Sequence, residues 1–526
     1  MPRHLPIALF LVLAGTSAWA QRSQGPADAP SKQEIEHPGF ARHAIALQYE
    51  FEALSLADLT GDGRRDLVIV ESERLSREPV RFVSVFLQSI GGFRRAGEPH
   101  PLPPGVSLVS AGRFGGAPGV ALLLPDSAAI WPWAGGRFQP EQATTYSVRS
   151  VFPVPAGEIV QDLDWVRDLN GDGSDELIVP SFGGLTALTS GAERRVRELG
   201  WMPVRPRSRY WRGLTYNAVA HDVPTLFYQD LDGDGWQDVI AFSDDELWVY
   251  PLRGEASGPE PGPTPIAPWR VHDLAPPKAF DPKAPYDPPM RLVRAGDLNG
   301  DGTLDLVLSK NAPTDSDFNA RSTTLVFLGR KGGGTPVAAF PERPDQVYPS
   351  EGFSLPIVLD YNHNGKLDLI QVNVEVTFWN AMRAIVTRSV KAEAAFYLMD
   401  ENGRYPASPT ELEGYKVNFS LSRFGHQPIA TWGDFDGDGL PDLLLSSAKE
   451  ELGIHWGRSG EIWDPRPSVI LRDRIPIHQR RVQLADLNGD GKHDIVLTYN
   501  RDDNRQMLDT LRRLTVLISQ HARNPP

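Results

Sequence analysis

The sequence predicts an all-β chain folded as a β-propeller, with eight blades as the count. Three observations predict it: a short acidic pattern that recurs seven times, an apolar β-rich run directly after almost every copy, and a composition crowded with turn residues. Gly (48) and Pro (47) together make up 95 of 526 residues, so turns are frequent and long helices should be few. A chain of this length holds either several average domains or one large repeat array, and the recurrence selects the array.

Each copy reads D-x-[D/N/T]-x-[D/N]-G-x-x-[D/E]. Positions one, three, five, seven and nine are Asp58, Thr60, Asp62, Arg64 and Asp66 in the first copy, and Asp168, Asn170, Asp172, Ser174 and Glu176 in the second. They are Asp230, Asp232, Asp234, Trp236 and Asp238 in the third, and Asp297, Asn299, Asp301, Thr303 and Asp305 in the fourth. The last three copies give Asp360, Asn362, Asn364, Lys366 and Asp368; Asp434, Asp436, Asp438, Leu440 and Asp442; and Asp486, Asn488, Asp490, Lys492 and Asp494. Oxygen side chains at positions one, three, five and nine converge on one hard cation if the chain coils tightly. The carbonyl at position seven completes the shell, and Gly at position six permits the turn. Calcium is therefore the expected ion, at up to seven sites.

An EF-hand needs a bidentate Glu at position twelve, where this chain has Ile69, Val179, Ala241, Leu308, Gln371, Leu445 or Leu497. Runs such as Leu67-Val-Ile-Val70 and Leu443-Leu-Leu445 follow the ninth residue and read as strands. A nonapeptide β-roll is excluded because its repeats are contiguous, whereas these lie 52 to 110 residues apart. One Asp-x-Asn-Gly-Asp-Gly alone is as well explained by an ordinary turn; seven copies that all keep the ninth carboxylate favour a metal. The Asp360 copy is the weakest, with two carboxylates among its four side chains, and the Asp230 and Asp434 copies are the strongest, with four. The four ligand positions of the loops hold 22 of the 67 acids, leaving 45 against 53 Lys and Arg, so all of the formal −14 sits in them. Seven Ca²⁺ would bring the protein close to neutral, which gives no reason to expect nucleic acid as a partner.

Residues 110–124 keep a Gly-rich turn and an apolar run but lack the carboxylates. With Arg113 in the place of the first Asp, the spacing between copies becomes 55, 55, 62, 67, 63, 74 and 52. These residues together resemble the FG-GAP repeats, also called VCBS-type repeats, of integrin α-chain N-terminal propellers and many bacterial exported proteins. The resemblance spans roughly residues 44 to 520; it implies the fold and the metal, and does not specify an activity.

Each unit reads as four short strands with the metal loop between the first and second, so that the connections between second and third strands and between units lie on the opposite face. The last unit stops one strand short, and residues 41–47, ahead of the first loop, are placed to supply that strand and close the ring. Seven blades would follow if the metal-free unit were only a spacer.

Residues 1–20 have an early Arg3, a short apolar run over 7–14 and an A-x-A end at Ala18-Trp19-Ala20, which reads as a secretory signal peptide. Residues 21–40 read as a disordered linker, and 41–521 as the propeller, with an insertion at about 374–395 that contains Phe378, Trp379, Met382, Arg383 and Arg388. Later segments are too short in apolar run for a transmembrane span. With Cys 0 there are no disulfides, so an exported protein of this size, periplasmic or extracellular, must find its staples elsewhere. A monomer is expected.

Three irregular segments are expected on the face opposite the loops: 201–224, 275–289 and the insertion. The first carries Arg205, Arg207, Arg209, Tyr210, Trp211, Arg212, Tyr216 and His221, a mixture of guanidinium groups and flat rings suited to anionic sugars or acidic peptides. The alternative is that these side chains cover the end of the propeller and pack on Pro. No G-x-S-x-G, H-E-x-x-H or phosphate-cradling Gly loop is present, and His272, His455 and His478 sit in strand-like runs where a structural role is expected. The expected function is a calcium-binding interaction module for a protein or polysaccharide; the alternative, implied by resemblance to calcium-binding eight-bladed propellers that are polysaccharide lyases, is a lyase using Arg and His beside a bound uronate.

Overall fold

The computed structural model describes residues 37–73, 79–152, 163–190, 195–200, 205–209, 218–231, 233–243, 246–252, 269–270, 290–311, 321–330, 340–341, 343–374, 389–418, 429–448, 451–458, 463–476, 479–499 and 511–520. They form eight antiparallel four-stranded blades. Blade one runs Glu50–Ala57, Asp66–Glu73, Val80–Ser89, Gly92–Arg95; blade two Leu108–Phe114, Ala117–Leu123, Ser127–Ala134, Arg137–Phe138. Blade three is Val166–Arg167, Glu176–Ser181, Gly184–Thr189, Arg195–Gly200, and blade four Thr225–Gln229, Asp238–Ser243, Glu246–Tyr250, Trp269–Arg270. Blade five is Arg291–Gly296, Asp305–Asn311, Arg321–Phe327, Gln346–Glu351; blade six Phe353–Leu359, Asp368–Val374, Ser389–Tyr397, Glu411–Asn418. Blade seven is Ala430–Gly433, Asp442–Ala448, Glu451–His455, Val469–Arg472, and blade eight Val482–Ala485, Asp494–Leu497, Arg513–Ser519 with Phe40–Ala46. Among the described residues, helical structure amounts to two 3-10 turns, Pro140–Gln142 and Gln479–Arg481, and a single helical residue at Leu511, and no helix is long and apolar enough to cross a membrane.

The core is distributed between blades. Second strands are buried on both sides because neighbouring blades cover both of their faces, and so they read as unbroken apolar runs. In Leu67-Val-Ile-Val70, Leu67 and Ile69 pack toward blade eight with Leu487, Val496 and Val516, while Val68 and Val70 pack toward blade two with Val109, Val120 and Trp131. Each blade meets the next through one such cluster, and the last of these clusters joins blade eight to blade one. That geometry decides for eight blades. The unit without carboxylates is a full blade and no spacer.

Ring closure takes the route read from the sequence. Phe40–Ala46 pairs with the third strand of blade eight from Phe40↔Ser519 to Ala46↔Arg513. A buried ion cluster fixes the start of that strand to blade seven: Asp473 accepts hydrogen bonds from Arg42 Nε at 2.8 Å and from the Arg474 N–H at 2.7 Å, and His37 Nε2 lies 3.0 Å away. Burial alone would raise the Asp473 carboxyl, but the hydrogen bonds from His37 and Arg42 hold it at about 2.

Blade two shows why its carboxylates could be lost. Its first two strands pair as far as Phe114↔Ala117, leaving only Gly115 and Gly116 in the turn, at φ of +59° and +79°. A two-residue turn with both φ positive suits the twist of a hairpin, and glycine adopts it without strain. There is no loop there to coil around an ion.

Candidate metal loops and the opposite face

All seven acidic loops join first and second strands and share one hydrogen-bonding plan. The position-one carboxylate accepts the backbone N–H of position six in every copy, as in Gly63 to Asp58 at 2.9 Å and Gly439 to Asp434 at 2.9 Å. In the six copies with Gly at position four, the same Asp also accepts that N–H at 2.6–2.7 Å. Coiling is thus set by the backbone around the first Asp. Glycines at positions four and six hold positive φ, as at Gly61 (+76°) and Gly63 (+83°).

The ninth carboxylate has a second duty that spacing did not reveal. One of its oxygens accepts the N–H of position two, and in six copies the other is seen to accept an N–H at the end of the third strand or just beyond it: Asp442 takes Phe435 and Gly457, both at 2.7 Å, and Asp494 takes Leu487 at 2.9 Å and Ser519 at 2.8 Å. The same pair of bonds is made by Asp66, Asp238, Asp305 and Asp368. Position two is Leu, Tyr or Phe in all seven copies, and Leu59, Leu298, Phe435 and Leu487 are buried between blades. That regularity was visible in the sequence and marks the loop as a plug for the core.

Adjacent loops also bind one another. The N–H of position eight reaches the position-two carbonyl of the preceding loop in Gln237 to Leu169 (2.7 Å), Leu367 to Leu298 (2.8 Å) and, across the ring closure, Arg65 to Leu487 (2.7 Å). His493 N–H donates to the Asp434 carbonyl at 2.6 Å, and the Asp434 N–H donates to His493 Nδ1 at 3.0 Å. Blade two's turn is held by its neighbour's loop: Asp175 accepts from the Arg113 N–H (2.6 Å) and Ser174 Oγ from the Gly115 N–H (2.7 Å).

Among the described residues, three carboxylates come together in blade seven, where oxygens of Asp434, Asp436 and Asp442 lie within 4.8 Å of one another. Asp436 and Asp442 are buried. Burial first, then the charges of Asp436 and Asp434, push the Asp442 carboxyl up to about 8. A cluster of hard oxygens that repels its own charge suits a divalent cation such as Ca²⁺, and these residues fit one. Burial, with neighbouring carboxylates adding, likewise raises Glu176, Asp305 and Asp494 to about 7. Position-five carboxylates elsewhere lean on local partners, as Asp62 does on Arg64 (3.3 Å) and Asp490 on Lys492 (3.0 Å). Asp232 of the Asp230 loop lies outside the described residues.

On the opposite face, the segment read as irregular between blades three and four contains a two-stranded ribbon, Arg205–Arg209 paired with Ala218–Asp222. The register pairs Arg205 with Asp222, Pro206 with His221, Arg207 with Ala220 and Arg209 with Ala218. Tyr210, Trp211, Arg212 and Tyr216 lie outside the described residues, as do residues 1–36, 271–289, His272 and His478. Of the segment read as an insertion, 375–388 also lies outside, and 389–395 belongs to the third strand of blade six. His455 is a buried strand residue whose Nδ1 lies 2.5 Å from the Asp464 carbonyl.

A family model described as FG-GAP-like repeat matches residues 230–308 and 434–497, which contain the loops of blades four, five, seven and eight. The chain carries FG-GAP-like repeats. Among solved structures, this FG-GAP-like propeller is similar to the Dos1 propeller, at 7% identity and a TM-score of 0.41 over 93% of this chain and 96% of the other. It is also similar to an Agrocybe aegerita lectin that specifically recognises non-reducing terminal N-acetylglucosamine, at 14% identity and a TM-score of 0.36 over 77% of this chain and 93% of that one. No curated protein matches the sequence.

Proposed function

We propose that this protein is an exported, calcium-stapled propeller that acts as a binding module for an anionic polysaccharide. The observation that carries the reading is the ribbon Arg205–Arg209 paired with Ala218–Asp222, whose first strand has arginine at every second position, 205, 207 and 209, about 6.7 Å apart along the strand. Guanidinium groups bind carboxylates through paired hydrogen bonds, and a row of them suits a repeating anion. The calcium loops stand on the other face and supply rigidity rather than contact.

The test is retention of the mature chain on immobilised pectate, alginate and neutral glucan. Binding to the acidic glycans alone is expected, weakened at least tenfold in an Arg207→Ala, Arg209→Ala double variant. Release of unsaturated sugars, or equal retention on neutral glucan, would overturn the reading.

A further inference from the structure

Six of the seven acidic loops have glycine at position four, and the Asp360 loop has His363 there, at φ +59°. This loop is also the one with only two carboxylates among its four ligand positions, and calcium affinity falls with the ligand charge count. Its position-five side chain accepts the Lys366 N–H through Oδ1 at 2.9 Å, as position five does in the other loops, and in addition Asn364 Nδ2 donates to the Met399 carbonyl at 3.3 Å. The position-seven side chain is a cation tied to backbone carbonyls of its own blade, where Thr303 of blade five makes the neutral counterpart, its Oγ1 donating to the Gly329 carbonyl at 3.2 Å. Lys366 Nζ donates to the carbonyl of Asp400 at 2.8 Å and to that of Glu401, both in the turn between the third and fourth strands of the same blade.

That turn is itself firmly built. Asp400 exchanges backbone hydrogen bonds with Arg404 and Gly403, its carboxylate accepts the Arg404 N–H at 2.9 Å, and Gly403 sits so close to Asn299 of the neighbouring loop that a Cβ there would lie 2.9 Å from it. In blades one and eight the position-seven cation pairs with an acidic side chain at position five, which a metal can reclaim by displacing it. Lys366 pairs instead with backbone carbonyls of that turn.

We propose that the blade-six loop binds no calcium, and that the Lys366 ammonium, tied to the Asp400 and Glu401 carbonyls, takes the ion's place as its staple. The donor set does not fit calcium: two carboxylates and two amides, of which Asn364 already donates to the Met399 carbonyl, with a lysine tied to the neighbouring turn at position seven. Calcium capacity is then at most six per chain. The proposal rests on the calcium reading of the other loops, whose failure would show separately as a parent protein that binds none.

The experiment counts bound calcium by equilibrium dialysis and measures melting with calcium and with chelator, for the parent, Asp360→Ala, Lys366→Met and, as comparator, Asp438→Ala. Asp438→Ala is expected to lose one ion per chain, and Asp360→Ala and Lys366→Met none. Lys366→Met should melt lower by about 2 °C in calcium and chelator alike, and Lys366→Arg should recover most of that loss. Loss of one ion in Asp360→Ala, or a Lys366→Met defect confined to chelator and cured by calcium, would overturn it.

Discussion

Chelation of the mature protein is expected to lower its melting temperature by on the order of 10 °C or more. An ion that binds only the folded state adds about 2.7 kcal/mol per site at a hundredfold excess over Kd, and 1 kcal/mol moves the melting point of a large domain by roughly 2 °C. Variants separate the metal term from the structural one. Asp442→Ala leaves the buried N–H groups of Phe435 and Gly457 without their acceptor as well as removing a ligand, so it should cost about 2–6 kcal/mol even in chelator, at 1–3 kcal/mol per orphaned donor. Asp438, at the half-buried fifth position, accepts only the local Leu440 N–H among its backbone contacts. Its Ala variant should melt lower in calcium and nearly like the parent in chelator. A difference between Asp438→Ala and the parent that is the same in calcium and in chelator, read by calorimetry, would show that the loops are turns without a metal.

The pH dependence should invert with metal. In the metal-free fold, Glu176, Asp305 and Asp494 titrate at about 7 and Asp442 at about 8, each raised chiefly by burial. Between the unfolded carboxyl range near 4 and those values, the folded chain binds more protons than the unfolded one, so stability falls as pH rises. Their contribution is fully present below about pH 4 and gone by about pH 8. Calcium competes with those protons, and the loaded protein should instead gain stability over the same window. Melting curves at pH 5 and pH 8 check this: the chelated protein should melt higher at pH 5 and the calcium-loaded protein higher at pH 8. Parallel pH profiles with and without calcium would contradict it.

The blades were legible because their signals are local. A loop that needs Gly at position six and an acid at position nine, followed by an apolar run, repeats at a near-constant spacing, and the missing strand at the C-terminal end of the array matched the spare strand before the first loop. The Arg65–Leu487 bond across the seam could not be read, since it joins backbone groups that any sequence would supply. Nor could the Lys366 contact with the Asp400 and Glu401 carbonyls, which depends on the height of a turn 34 residues away. The ribbon at 205–209 was missed for another reason. Pro206 argues against a strand inside a sheet, but a two-stranded ribbon has free edges on which a residue without an N–H costs nothing.

Elemental analysis of the dialysed mature chain tests the central claim most directly. Several calcium ions per chain, no more than six, with magnesium unable to replace them because its octahedral shell fits these coiled oxygen loops poorly, is the expected result. One ion or none in a folded protein would contradict it.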